Sequence, residues 1–450
     1  MKNITSTFTA IIFAITIIII SAISAVAFGT APGNDNFANA EVFTGLLNIH
    51  SIRTNVGATA ESGEPIHGGV GGKSVWFKWT APMSRVMTFT TNRNPTNMDT
   101  LIAVYSGSSL NNLLYQCSND NSNSTDLKSQ CRAWVEAGDS YYIAVDGKSV
   151  NGAPAVEGQF ALDIHPSFPQ QGADYDNDGI TDISVFRPSD GKWYIRNTSD
   201  PQNLTIFDLG AGSDIPVMTS DTSGNNYSTI FRPSDGIWYP NVQTQQINVM
   251  AWGTQGDIPV PANYLDSLST SLAVYRPSTG TWYIRYAAGS YTYYQFGLAG
   301  DIPVPGNYSP DRYADIAVFR PSNGTWYFIK RATTNTMNDS RSEVKFGLSG
   351  DKPVPADYDG DGILDVAVYR PSTGVWYVLR SSNGQAQAFH WGIAEDIPTT
   401  GDFDGDGKFD YAVFRPSTGN WYINRSSDGT AQIVHFGANG DIPVTASRTF

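Results

Sequence analysis

Asp357-Tyr-Asp-Gly-Asp-Gly-Ile-Leu-Asp365, running on through Val-Ala-Val-Tyr-Arg-Pro-Ser-Thr-Gly-Val-Trp-Tyr377, is one copy of a phrase that returns through the second half of a 450-residue chain. Its Arg-Pro-Ser core stands at Arg187, Arg232, Arg276, Arg320, Arg370 and Arg415, with gaps of 45, 44, 44, 50 and 45 residues. Trp-Tyr follows six residues later each time, from Trp193 to Trp421. Asp-(Ile/Lys)-Pro then follows, beginning at Asp214, Asp257, Asp301, Asp351, Asp396 and Asp441. A fixed period of this length means stacked units, none able to bury its apolar face alone. It shifts the expected function toward binding.

Each unit reads as short strands. Asp182 to Arg187 alternates and is β-rich. Pro188 withholds a backbone donor and ends that strand, and Ser189-Asp190-Gly191 supplies a turn. A second strand begins at Trp193, a third spans Leu204 to Leu209, and a fourth runs through Ile215 and Val217. Four strands in 44 to 50 residues is the size of one β-propeller blade. The array's ends are complementary. No Asp-Ile-Pro-Val precedes Asp174, while the last copy ends in Asp441-Ile-Pro-Val444 with no strands after it. Pairing Ile442 to Thr445 beside the first unit closes a ring of six blades and leaves no bare edge. An open solenoid, the alternative, needs capping residues at its ends. The Arg and Asp present in every unit suit a structural pair, with rim arginines for sugars as the competing reading. The repeated tryptophans suit core between blades.

Three units open on a denser signal. Asp174, Asp176, Asp178, Gly179 and Asp182 form D-x-D-x-D-G-x-x-D, as do Asp357, Asp359, Asp361, Gly362 and Asp365, and Asp402, Asp404, Asp406, Gly407 and Asp410. Alternating carboxylates on a tight loop converge, the glycine permits the turn, and the carbonyl of Ile180, Ile363 or Lys408 adds an oxygen. That donor set requires a hard cation, and Ca²⁺ accepts its geometry more readily than Mg²⁺. About three calcium sites are expected. The loops are not EF-hands, because Val185, Val368 or Val413 occupies the twelfth position. A fourth loop offers Asn307, Ser309, Asp311 and Asp315 with Arg312 in the glycine position, a weaker site. The second and third loops, with Asp221 and Asn263 among mostly uncharged residues, are expected to hold no metal.

The acidic loop followed by Ala-Val-Tyr-Arg-Pro-Ser-x-Gly-x-Trp-Tyr resembles the FG-GAP and VCBS-type repeats, which are similar to integrin alpha-subunit propeller blades. The resemblance spans residues 173–450. The Phe-Gly signature stands at Phe296-Gly297, Phe346-Gly347 and Phe436-Gly437 and softens to Trp252-Gly253, Trp391-Gly392 and Leu209-Gly210. The resemblance implies a Ca²⁺-stabilised propeller used outside the cell in adhesion or ligand binding. Six units rather than the integrin's seven put transfer of its partner surface in doubt.

Upstream, Lys2, an apolar run from Phe8 to Ile20 and Ala25-Val-Ala27 make residues 1–27 a secretory signal, with an uncleaved anchor as the alternative. Residues 32–165 lack the repeat. Strand-like runs at Ser74 to Trp79, Val86 to Thr90, Leu101 to Tyr105, Arg132 to Val135 and Tyr141 to Val145 predict a β-sandwich. Asn34-Asp-Asn-Phe37, Gly63-Glu-Pro65, Ser74-Val-Trp-Phe77, Asp99 to Tyr105 and Tyr141 to Asp146 resemble modules related to the pre-peptidase C-terminal domain, which implies a binding or maturation accessory. Cys117 and Cys131, the chain's two cysteines, are expected to form a disulfide in an exported protein.

The formal charge is −14, and loss of residues 1–27 removes Lys2 and no acid. That argues against nucleic acid or an anionic membrane as partner. With 43 glycines and 25 prolines, the composition suits a turn-dense all-β protein. The five histidines share no motif, and no nucleophile elbow, zincin helix or phosphate loop occurs. The reading is therefore an all-β protein: an N-terminal β-sandwich followed by a closed six-bladed propeller, secreted or on the cell surface, without a membrane span once the signal is cleaved. It binds calcium and an extracellular protein or glycan, and no catalysis is expected. The alternatives are a lectin-like propeller using Tyr291, Tyr293 and Tyr294, and a secreted glycan lyase or hydrolase, with Lys330, Arg331 and the Thr333 to Ser342 insertion as its main irregularity.

Overall fold

The computed structural model describes residues 30–445 except 45–46, 122–126, 168–172, 222–224, 242–248, 266–267, 286–289, 312 and 331–339. The signal sequence, Arg312, Arg331 and most of the Thr333 to Ser342 insertion lie outside the described residues.

Nine strands precede the repeats: β1 Glu41–Phe43, β2 Ile49–Thr54, β3 Val75–Thr80, β4 Arg85–Thr90, β5 Thr100–Ser106, β6 Leu114–Asn119, β7 Gln130–Val135, β8 Ser140–Gly147 and β9 Gln159–Pro166. They form a five-stranded sheet, β1-β3-β8-β5-β6, and a four-stranded sheet, β2-β9-β4-β7. Alternation explains how the sheets meet. Phe77, Trp79, Ile102, Val104, Ile143 and Val145 of one and Met87, Phe89, Ala133, Leu162 and Ile164 of the other enter a single apolar core. Cys117 on β6 and Cys131 on β7 are disulfide-bonded and link the two sheets. The opposite face of the four-stranded sheet carries Thr88, Arg132, Asp163 and His165, all buried although polar. Something else covers them, and that is the repeat region. Sequence patterning missed β1, β2 and β6, whose hydrophobic alternation is short or interrupted, and also β9, although Phe160, Leu162 and Ile164 alternate clearly in it.

The repeat region forms six four-stranded antiparallel sheets. The second is typical: Ile215–Ser220, Asn226–Arg232, Ile237–Pro240 and Met250–Ala251 in order. Here the sequence reading needs one correction. The Asp-Ile-Pro strand is not the last strand of its own repeat. It pairs with the Arg-Pro-Ser strand of the next, as Pro216 faces Ile230. The sequence period and the sheet are thus offset by one strand. Ile442–Pro443 accordingly pairs with Ile183–Arg187, placing Pro443 opposite Val185, 258 positions earlier in the numbering.

Burial falls across each sheet. The Arg-Pro-Ser strand is buried, the Trp-Tyr strand alternates and the last strand is largely exposed. Six fully buried tryptophans, Trp193, Trp238, Trp282, Trp326, Trp376 and Trp421, sit in the cores. Each core joins two successive sheets. Tyr275 and Trp282 pack with Ile316 and Val318 of the next sheet, for example, and Phe414 and Trp421 of the sixth with Ile183 and Val185 of the first. The Phe-Gly signature has a steric cause: a Cβ on Gly437 would lie 2.9 Å from the Phe414 ring, and its φ is +132°.

The repeated Arg and Asp are paired in all six sheets. Each guanidinium makes two hydrogen bonds of 2.7–3.0 Å to one carboxylate, Arg187 reaching Asp441 and Arg415 reaching Asp396. The Tyr of Trp-Tyr lies beneath the same guanidinium at 4.3–4.5 Å. The carboxylates are buried and the arginines only partly so. These contacts fit the structural reading of the pair.

Candidate metal centre

Each acidic loop leads into the Arg-Pro-Ser strand of its sheet, and its conformation follows from its first carboxylate. Asp357 accepts from the backbone N–H groups of Gly360, Asp361 and Gly362 at 2.6, 3.1 and 2.9 Å. Asp402 does the same for Gly405, Asp406 and Gly407, and Asp174 for Asp178 and Gly179. The third Asp caps the turn, with Ile363 N–H donating to Asp361 at 2.9 Å. The last Asp holds the loop's start, with Tyr358 N–H donating to Asp365 at 2.9 Å. Gly179, Gly362 and Gly407 have φ of +83°, +87° and +89°, where an L side chain is strained.

The carboxylates converge as their spacing implies. One oxygen each from Asp174, Asp176 and Asp182 lies within 4.8 Å of the others, and the same holds for Asp357, Asp359 and Asp361, and for Asp402, Asp404 and Asp410. Asp178, Asp365 and Asp406 stand beside these trios, held by hydroxyls. The Ile180, Ile363 and Lys408 residues follow the turn glycine in each loop. Asp176 Oδ1 and Asp359 Oδ1 are buried without a hydrogen-bond partner. An unsatisfied buried carboxylate oxygen is costly, and a cation at the convergence point would remove that cost.

Electrostatics point the same way. Burial first, and the charge of Asp404 next, push the Asp410 carboxyl up to about 7. Burial likewise lifts Asp365 to about 7 and Asp357 to about 6, Arg85 partly opposing the latter. Asp178 rises to about 6 through burial and Asp176. Asp174, Asp182 and Asp402 are raised well above the ordinary carboxylate range, again mainly by burial. Ionised together, these groups need a counter-charge.

A set of hydroxyls escaped the sequence reading. Thr198 donates to Asp178 at 2.9 Å and to Asp182 at 3.2 Å. Ser381 donates to Asp361 and Asp365, each at 2.9 Å, and Ser382 to Asp359 at 2.6 Å. Ser426 donates to Asp406 at 2.9 Å, and Ser427 to Asp404 at 2.6 Å. These hydroxyl pairs begin five residues after the repeat tryptophan, as Thr198-Ser199, Ser381-Ser382 and Ser426-Ser427. The corresponding pairs in the other units are Gln243-Thr244, Ala287-Ala288 and Arg331-Ala332. Co-occurrence with the complete acidic loops was the available signal.

The fourth loop gathers differently. Ser309 donates to Asp311 at 3.1 Å and to Asp315 at 2.9 Å, and Asn307 turns inward to the carbonyl of Asp311 at 2.8 Å. The Lys330 ammonium donates to the Tyr308 carbonyl at 2.8 Å, bringing a cation of the chain's own to this loop. Among the described residues no helix is long and apolar enough to cross a membrane.

No known protein family and no curated protein matches the sequence. Solved structures are similar over part of the chain. An Agrocybe aegerita lectin specific for non-reducing terminal N-acetylglucosamine is 15% identical over 59% of this chain and 76% of its own, with a TM-score of 0.40. A virginiamycin B lyase from Staphylococcus aureus is 11% identical over 59% of this chain and 88% of its own, with a TM-score of 0.37. The expectation of no catalysis is corrected by this comparison: an enzyme is among the similar structures, and a strand framework leaves chemistry to its loops. The consecutive four-stranded sheets, with the C-terminal strand completing the first, make the repeat half an all-β chain of β-propeller type.

Proposed function

We propose that the protein is an exported, calcium-loaded binding protein. In this reading residues 1–27 are its signal, 32–165 a β-sandwich and 173–450 a closed six-bladed propeller of the FG-GAP/VCBS type. The closure is supported by the pairing of Ile442–Pro443 with the first repeat's strand and by a core shared between the sixth and first sheets. The observation that carries the calcium assignment is the convergence of three carboxylate trios, two with a buried unpartnered oxygen. Asp174, Asp176, Asp178 and Asp182, with the Ile180 carbonyl, would hold the first ion. The loops at Asp357 and Asp402 would hold two more. Each ion supplies positive charge that lets the buried carboxylates ionise and fixes the turn ahead of the Arg-Pro-Ser strand. The fourth loop, with two acids and the Lys330 ammonium nearby, would bind more weakly.

The propeller would then present an extracellular protein or glycan ligand with a rigid surface, in adhesion or ligand capture. A glycan is favoured as ligand by one feature. Tyr291 and Tyr293 are 56% and 65% exposed on the outer strand of the third sheet, and Trp252 lies 5.5 Å from Tyr291. Such a set offers sugar rings an apolar platform. A glycan array separates that ligand class from protein adhesion. The calcium assignment is tested by counting metal in the purified protein and following thermal unfolding with excess Ca²⁺ and with chelator. Three ions and a marked upward shift support it. No metal and no shift would refute it.

A further inference from the structure

The three complete acidic loops are neighbours, not scattered. They belong to the fifth, sixth and first sheets, which the C-terminal strand brings together. Backbone bonds chain them: Phe409 N–H donates to the Asp357 carbonyl at 2.9 Å, and Thr181 N–H to the Asp402 carbonyl at 2.7 Å. The N-terminal unit touches all three. Arg93 donates to the Asp178 carbonyl at 2.6 Å and stands 3.7 Å from its carboxylate. Arg85, almost wholly buried, stands 3.8 Å from the Asp357 carboxylate. Asn48 donates to the Gly405 carbonyl.

The contact falls on one structural position. A Cβ on Gly179 would lie 2.8 Å from the His165 ring, one on Gly407 would lie 3.0 Å from Leu47, and one on Gly362 would lie 3.7 Å from the Arg85 Cβ. These are the turn glycines whose N–H groups bond the first carboxylate of each loop. The N-terminal unit therefore packs against the turn whose shape the loop's contents determine. Arg85 and Arg93 bring positive charge to the Asp357 and Asp178 carboxylates.

We propose that the row of acidic loops is a cation-dependent seat for the N-terminal unit: divalent-ion occupancy fixes the three glycine turns, and the fixed turns hold the outer face of the β2-β9-β4-β7 sheet. The proposal rests on the calcium reading above. It explains why the complete loops are contiguous: they lie where the second unit bears on the first. Ions and seat then stabilise one another, and the coupling acts in both directions.

The full chain is titrated with Ca²⁺ by calorimetry, beside Arg93→Ala and Asn48→Ala, which alter the seat and no proposed metal ligand. Weakening the seat should weaken Ca²⁺ binding, by about fivefold or more for a coupling of ordinary size. Solution X-ray scattering should show the chain lengthen when Ca²⁺ is chelated, while emission from the buried tryptophans reports that the sheets persist. Unchanged affinity in both variants overturns the seat, and so does tighter binding, which would mean that Arg93 competes with the ion. Three bound ions with no change in scattering on chelation also overturn it and leave the metal sites standing. A protein that takes up no divalent ion overturns both readings.

Discussion

Asp176→Asn should stabilise the protein in chelator and destabilise it in saturating calcium. Asp176 shares its trio with Asp174 and Asp182, with oxygens within 4.8 Å. Two unit charges at that distance repel by roughly 3 kcal/mol at an effective dielectric near 20. Asp176 is half-buried, so solvent screening reduces the relief to about 1–2 kcal/mol. The substitution also replaces a carboxylate whose Oδ1 is buried and unpartnered. With calcium at about a hundred times the dissociation constant, one lost site removes about 2.7 kcal/mol. The effect of the mutation thus changes sign with the ion. Calorimetric unfolding in the two buffers measures it, at about 1–2 °C per kcal/mol for a body of this size, with a metal count falling from three to two. The same sign in both buffers would refute the argument. It would mean that Asp176 is held by Ser199 as part of an ordinary polar turn.

Further outcomes follow from the same geometry. Arg276→Ala strands the buried Asp257 carboxylate, now bonded at 2.8 and 2.9 Å, and should cost about 2–3 kcal/mol in urea unfolding. Arg276→Lys should recover only part of that, because an ammonium cannot make the two-pronged bond. Burial drives His165 down from 6.5 to about 4, reinforced by Arg93 and Arg132 and opposed by the Pro166 carbonyl and Asp163. Its folded form stays neutral, so between pH 6.5 and 4 the unfolded chain takes up a proton that the folded one refuses, and stability falls by up to roughly 3 kcal/mol as pH falls. His165→Gln should flatten urea midpoints across that window relative to the parent, both measured with saturating calcium. Truncation after Asp441 removes the strand paired with Ile183–Arg187 and bares an edge. Size-exclusion chromatography should then show association, and a monomer of unchanged melting temperature would contradict the closure.

The acidic loops were legible because their geometry is local. Alternating carboxylates and a glycine within nine residues converge wherever the loop sits, so Asp357, Asp359 and Asp361 needed no knowledge of the rest of the fold. The repeated strands were legible for the same reason, since period-two alternation and a terminating proline act within a few residues. The hydroxyls of Ser381 and Ser426 lie 16 and 20 positions from the carboxylates they bind, and only the antiparallel return of two strands brings them there.

By itself the sequence determined a repeating all-β architecture, the complementary ends of its array and three clusters of converging carboxylates, because each is written in spacing along the chain. Tertiary structure alone decided that the Asp-Ile-Pro strand belongs to the following sheet, that each arginine lies over a tyrosine while gripping an aspartate, and that the N-terminal unit rests on the turns at Gly179, Gly362 and Gly407. These are contacts between surfaces far apart in the chain, selected by which apolar and charged faces remain uncovered once the local elements have formed. No periodicity records that choice, because burial is settled by the packed whole.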